Sequence, residues 1–214
     1  MSALRLASYE PLSHEIEIKK SRFLTFAKRV NCVDDAREYI SQIKETFPDA
    51  RHHCSAFVVS IPGANDVLHS SDDGEPSGTA GRPMLDILTG FQLTDTVVVV
   101  VRYFGGTLLG TGGLVRAYSD SVRECLIGAH TVTQAQLQCF DVTLSHASAG
   151  KTEAELRARG YDVVGIDYHN THVTLRLATS NIDSFMRDLA EISSGEASAH
   201  KAGTVIREHP SQPL

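Results

Sequence analysis

Two glycine-punctuated stretches hold the residues best placed to do chemistry. The first, "SSDDGEPSGTAGRP" at 70–83, sets Asp72, Asp73 and Glu75 among Ser70, Ser71, Gly74, Ser77, Gly78 and Thr79. Clustered carboxylates are what a hard cation such as Mg or Ca binds. Oxygen ligands do not recur at alternate positions as in an EF-hand, however, and the same side chains can close turns and cap a helix that starts at Pro83. No metal and no cofactor is therefore assigned. The second stretch, "VRYFGGTLLGTGGLVRAY" at 101–118, places Gly105, Gly106, Gly110, Gly112 and Gly113 between an apolar run and an amphipathic one. A helix opening after such a loop can hold an anion on its free backbone amides. The phosphate-loop motif, though, needs Lys where Thr111 follows Gly110, and the dinucleotide motif needs glycine where Val115 stands. Both fingerprints fail, which leaves a backbone anion site or a tight strand-to-helix turn.

Arg102, beside Tyr103 and Phe104, suits the pinning of a phosphate or a carboxylate next to an aromatic face. It suits equally an internal ion pair with Asp72, Asp73 or Glu75. In "RHHCSAFVV" neighbouring side chains of a strand point to opposite faces, so His53 and Cys54 cannot share a site. His52 and Cys54 can share a face, but no third group accompanies them and no catalytic residue is assigned.

The elements that carry these residues are legible from periodicity. Alternation from His14 to Val30 predicts two strands around a turn at "KKSR". Val33, Ala36, Tyr39, Ile40, Ile43 and Phe47 mark one helical face, with Asp34 and Asp35 in its first turn and Pro48 just beyond its end. "HCSAFVVSI" and "VLHS" read as strands, "PMLDILTGFQL" as a short helix, and "DTVVVVVRYF" as a strand buried on both faces. "GGLVRAYSDSVRECLIGAH" reads as a helix with Arg116 on its polar side. Residues 130–136, "HTVTQAQ", read as a linker between domains at 1–133 and 134–214. Beyond it the order is βαββαβ, that of a ferredoxin-like unit. The fold class is α+β.

Composition narrows the setting. The chain has 214 residues, 42% of them hydrophobic, and a net charge of -6, so no uniformly basic surface advertises nucleic acid. Arg5, Lys19, Lys20, Arg22, Lys28 and Arg29 still offer a local basic patch. The longest apolar run, "TVVVVV", is too short to cross a bilayer, and the N-terminus lacks a signal-peptide pattern. A cytoplasmic protein with reduced cysteines and no membrane partner is expected.

"SDDGEPSGTAGRPML" followed by "VVVVVRYFGGTLLGTGGLVRAY" resembles the signature of the IMPACT family of YigZ-like bacterial proteins and the eukaryotic translational regulator IMPACT. "SRFLTFAKRV" and "ARHHCSAF", with Ala50, His52, Cys54 and Ala56, extend the resemblance over most of residues 15–130. It implies an N-terminal domain similar to domain IV of elongation factor G, a ribosomal-protein-type β-α-β two-layer fold. It implies a ferredoxin-like C-terminal domain similar to domain V of that factor. Eukaryotic IMPACT restrains a starvation-responsive kinase by competing for its activator, using an additional N-terminal domain. The present sequence begins almost directly with the shared segment, so translation-linked binding is the expectation that carries over. That expectation is a non-enzymatic protein binding RNA, the ribosome or a translation-associated protein. Its surface would comprise both loops, with Arg82, Arg102 and Arg116 for charge and Tyr103 or Phe104 for stacking. The alternatives are a nucleotide- or phosphate-binding enzyme using the two loops, and a protein-interaction module in which the loops are structural.

Overall fold

The computed structural model describes residues 3–214. It divides into two compact units, residues 1–133 with 209–214, and residues 134–208. The final six residues thus group with the first unit rather than the second.

The first unit is built on a five-stranded sheet. Its strands are β2 (Leu12–Ile18), β3 (Ser21–Arg29), β4 (His52–Val59), β5 (Val67–Ser71) and β6 (Thr96–Tyr103), ordered β2-β3-β6-β4-β5 with antiparallel neighbours. The turn between β2 and β3 needs positive φ at both central residues, and Lys19 (φ 48°) and Lys20 (φ 65°) supply it. Central β6 explains the layering. Its Val98 and Val100 pack with α2 (Gly81–Gly90) and α3 (Thr111–Leu126), whereas Val97, Val99 and Val101 pack with α1 (Val33–Thr46). The α+β class stands, but helices cover both faces, giving three layers where the resemblance implied two. An apolar run with no polar alternation leaves neither face of a strand fit for water.

The expected linker is instead structured. β1 (Leu4–Leu6) pairs antiparallel with Thr131, Val132 and Thr133, which open the long strand β7 (Thr131–Leu144). β7 crosses the division and continues as the first strand of the second unit. There β7, α4 (His146–Ala158), β8 (Asp162–Tyr168), β9 (Val173–Thr179), α5 (Ile182–Ile192) and β10 (Ser198–Pro210) give the βαββαβ order read from the sequence. The strands lie in the order β10-β7-β9-β8, the interleaving expected of a ferredoxin-like unit. Phe140, Val142, Leu175 and Leu177 of the sheet meet Leu156, Phe185 and Leu189 of the helices in its core.

Candidate functional site

In the first unit β6 ends and α3 begins beside the turn that follows β5. Arg102, the penultimate residue of β6, is 6% exposed. Its Nη1 donates to Glu75 Oε1 at 2.6 Å, and Tyr118 Oη on α3 donates to the same oxygen at 2.9 Å. The guanidinium lies 5.4 Å from the Phe23 ring centre and 5.8 Å from that of Phe104. Its Nε is enclosed, without a hydrogen-bond partner among the described residues. Above this floor opens a cleft of about 440 Å³ lined by both loops, with Glu75 and Pro76 from the first and Phe104, Leu108, Leu109 and Gly110 from the second. Arg51, His52, Thr111 and Leu114 complete the wall. Phe104 is 51% and Leu108 83% exposed.

The three carboxylates of the first loop do not converge. Asp72 accepts from the amides of Gly78, Ala80 and Gly81 at 2.8–3.0 Å, so it caps α2 from nine residues away. This is the capping role read from the sequence, with the helix starting at Gly81 instead of Pro83. Burial opposes ionisation of Asp72, but these amides outweigh it and its pKa falls below the ordinary carboxylate value. Asp73 is likewise lowered: burial is offset by the Lys44 ammonium at 2.8 Å and the His53 amide at 2.7 Å. Among the described residues no group of three or more His, Cys, Asp or Glu stands together as a metal site.

Backbone approach accounts for two glycines. A Cβ on Gly105 would overlap the Lys20 carbonyl carbon and the Ser21 nitrogen of the β2–β3 turn, and one on Gly81 would come within 2.6 Å of the Ser71 nitrogen. Gly110 precedes α3 at φ 74°, and among the described residues no side-chain hydrogen bond caps the helix. The first-turn amides of Thr111, Gly112 and Gly113 are therefore left without a side-chain cap, and of these three residues Thr111 lines the cleft.

Apart from His52, the remaining candidates do not line the cleft. Tyr103 donates to Asp49 at 2.9 Å under the Arg22 guanidinium. Thr79 is buried, its hydroxyl on the Pro76 carbonyl. Arg82 is exposed and pairs with Asp86 at 2.8 Å. Ser77 and Arg116 are exposed, and Gly74, Gly78 and Gly106 occupy turns with positive φ. The expected surface of Arg82, Arg102 and Arg116 is corrected here: Arg102 is inside, neutralised by Glu75. His52 and Cys54 do not pair either. Nδ1 of His52 donates to the Asp73 carbonyl, while the Cys54 thiol reaches the Asp72 carbonyl at 3.0 Å and Tyr118 Oη at 3.3 Å. Burial pushes that thiol up to about 12 and raises the Tyr118 phenol well above its ordinary value. Leu108 and Leu109 escaped the sequence reading, because two apolar residues inside a glycine loop follow no helical or strand period.

Residues 19–126 match the Impact N-terminal domain, and residues 142–196 match a domain of unknown function, DUF1949. The chain is 40% identical over 188 residues to an IMPACT family member of Haemophilus influenzae, covering 85% of this chain and 88% of that one. The chain belongs to the IMPACT family. Within the family it is also 38% identical to YigZ of Escherichia coli, over 86% of this chain and 91% of YigZ. A crystal structure of a hypothetical protein, 37% identical, superposes with a TM-score of 0.60 over 93% of this chain and 97% of that one. No helix among the described residues is long and apolar enough to cross a membrane.

Proposed function

We propose that this IMPACT-family chain is a non-enzymatic binding protein of the cytoplasm, linked to translation, whose first unit holds a translation-associated protein through the Phe104–Leu108 cleft. One observation carries the reading. Glu75, the carboxylate of the cleft lining, is engaged by Arg102 and Tyr118, and the Cys54 thiol that meets Tyr118 is fully buried, while the apolar rim is open to solvent. An exposed apolar rim over a buried polar floor suits a docked side chain better than a reacting bond. A net charge of -6 and the burial and neutralisation of Arg102 favour a protein partner over the polyanionic backbone of RNA. The translational setting is supported by family membership and by the regulatory role that the resemblance attaches to eukaryotic IMPACT.

The test is affinity capture with the full chain from lysate, at low and high salt and with and without nuclease. Retention of a translation-associated protein after nuclease and at high salt is the expected result. Capture that vanishes with nuclease or salt would make RNA or the ribosome the partner.

A further inference from the structure

The lining of the cleft carries an excess positive charge. Arg51, Glu75 and Arg102 are its side chains charged at neutral pH, and the last two neutralise each other at 2.6 Å. Arg51 is left over. It is exposed just before β4 and, unlike Arg5, Arg22, Arg82 and Arg102, meets no carboxylate among the described residues. Resting on the reading of this cleft as a docking site, we propose that its occupant is an acidic peptide segment of the partner. One apolar side chain of that segment sits against Phe104 and Leu108, and a neighbouring Asp or Glu meets Arg51.

The carboxylates nearest Arg51 in the chain and in the first loop are committed elsewhere. Asp49 accepts from Tyr103, Asp72 holds the amides at the start of α2, and Asp73 holds Lys44 and the His53 amide. Beside Phe104, the Lys20 backbone meets Gly105, and that turn adds two exposed lysines, Lys19 and Lys20, with no ion pair among the described residues. A chain of net charge -6 thus sets local positive charge around an apolar cleft. Such complementarity steers an acidic partner inward and disfavours a basic one. An exposed ion pair contributes little by itself, so the apolar side chain supplies most of the affinity and Arg51 the choice of sequence. Salt should accordingly weaken the complex without dissolving it. A nucleic acid needs several phosphates neutralised at once, and the lining has one unspent cation. Leu108, 83% exposed, offers an aliphatic contact rather than a stacking plane. The volume of about 440 Å³ fits a side chain and its neighbours rather than a folded element.

The test is calorimetric titration of the full chain with N-acetyl-Glu-Glu-Leu-Glu-Glu amide, with the same peptide carrying Gln for every Glu, and with a single-stranded uridine decamer. The Glu peptide is expected to bind about fivefold more tightly than the Gln peptide, with the RNA weaker than the Glu peptide. Arg51→Gln alters an exposed side chain that meets no carboxylate, so its melting temperature should match wild type. In that variant the two peptides should bind equally, to within about twofold. Leu108→Ser should weaken both. Equal binding of the two peptides by wild type, no binding of the Glu peptide at millimolar concentration, or a preference that survives Arg51→Gln would each overturn the proposal. RNA bound as tightly as the Glu peptide would overturn it as well. If the peptides fail in any of these ways but Leu108→Ser still strips a captured protein from the chain, this inference falls and the docking reading stands. If Leu108→Ser leaves the captured protein bound, the docking reading falls and this inference with it.

Discussion

Arg102 and Glu75 are joined in the interior of the first unit, Nη1 to Oε1 at 2.6 Å, with their side chains 7% and 3% exposed. The pair links the two glycine-rich loops. It also settles which of two uses the sequence left open for Arg102, since its charge is spent inside rather than displayed.

Removing one partner should therefore hurt more than removing both. Arg102→Met strands a buried carboxylate and should cost about 3–5 kcal/mol. Adding Glu75→Gln keeps an acceptor for Tyr118 while removing the stranded charge, and should restore most of that loss. Urea unfolding of the single and double variants checks the order.

Glycines of the second loop divide by the space around them. Gly105→Ala must push apart the backbones of the β6–α3 loop and the Lys20–Ser21 turn, at about 1–3 kcal/mol. Gly112→Ala meets open space and should gain roughly 0.5 kcal/mol from reduced chain entropy. Denaturation midpoints of the two variants should move in opposite directions.

Asp72 connects stability to acidity. Asp72→Ala removes three amide contacts and should cost about 2 kcal/mol at neutral pH. The folded pKa of Asp72 lies below the unfolded value, near 3.9. Its contribution is thus fully present above that unfolded value and is lost as pH falls through the folded one. The gap between wild type and variant should be wide at pH 7 and narrow below about pH 4, as read by thermal unfolding across that range.

Thiol chemistry should single out one cysteine. Cys32 is exposed, whereas Cys54, Cys125 and Cys139 are buried, and burial pushes the Cys54 and Cys125 thiols up to about 12. An aromatic disulfide reagent at pH 8 should titrate one thiol promptly in the native chain, and Cys32→Ser should abolish that phase.

The sequence showed most clearly what is local. The unbroken valines of β6, the stripe of α1 and the βαββαβ order are patterns of neighbours, and the structure follows them. What it hid depends on partners far along the chain. Thr131, Val132 and Thr133 read as linker because their partners, Leu4 to Leu6, lie more than a hundred residues away. The Asp72 cap was legible in the sequence, but not that it falls on the amides of Ala80 and Gly81, which starts α2 at Gly81 instead of Pro83. The acidic loop and Arg102 were each visible, but choosing Glu75 over Asp72 and Asp73 needed the placement of the β5–α2 turn beside the end of β6. Leu108 and Leu109 became part of the site only once the loop was folded over Arg102.

The central claim is that the open rim of the first-unit cleft, and no other exposed apolar residue, binds the partner. The direct measurement compares the affinity of the captured protein for wild type, Leu108→Ser and Tyr168→Ser, since Tyr168 is 74% exposed in the second unit. A loss of about tenfold or more for Leu108→Ser with Tyr168→Ser unchanged is the predicted result. Wild-type affinity in Leu108→Ser, or a loss confined to Tyr168→Ser, would contradict it.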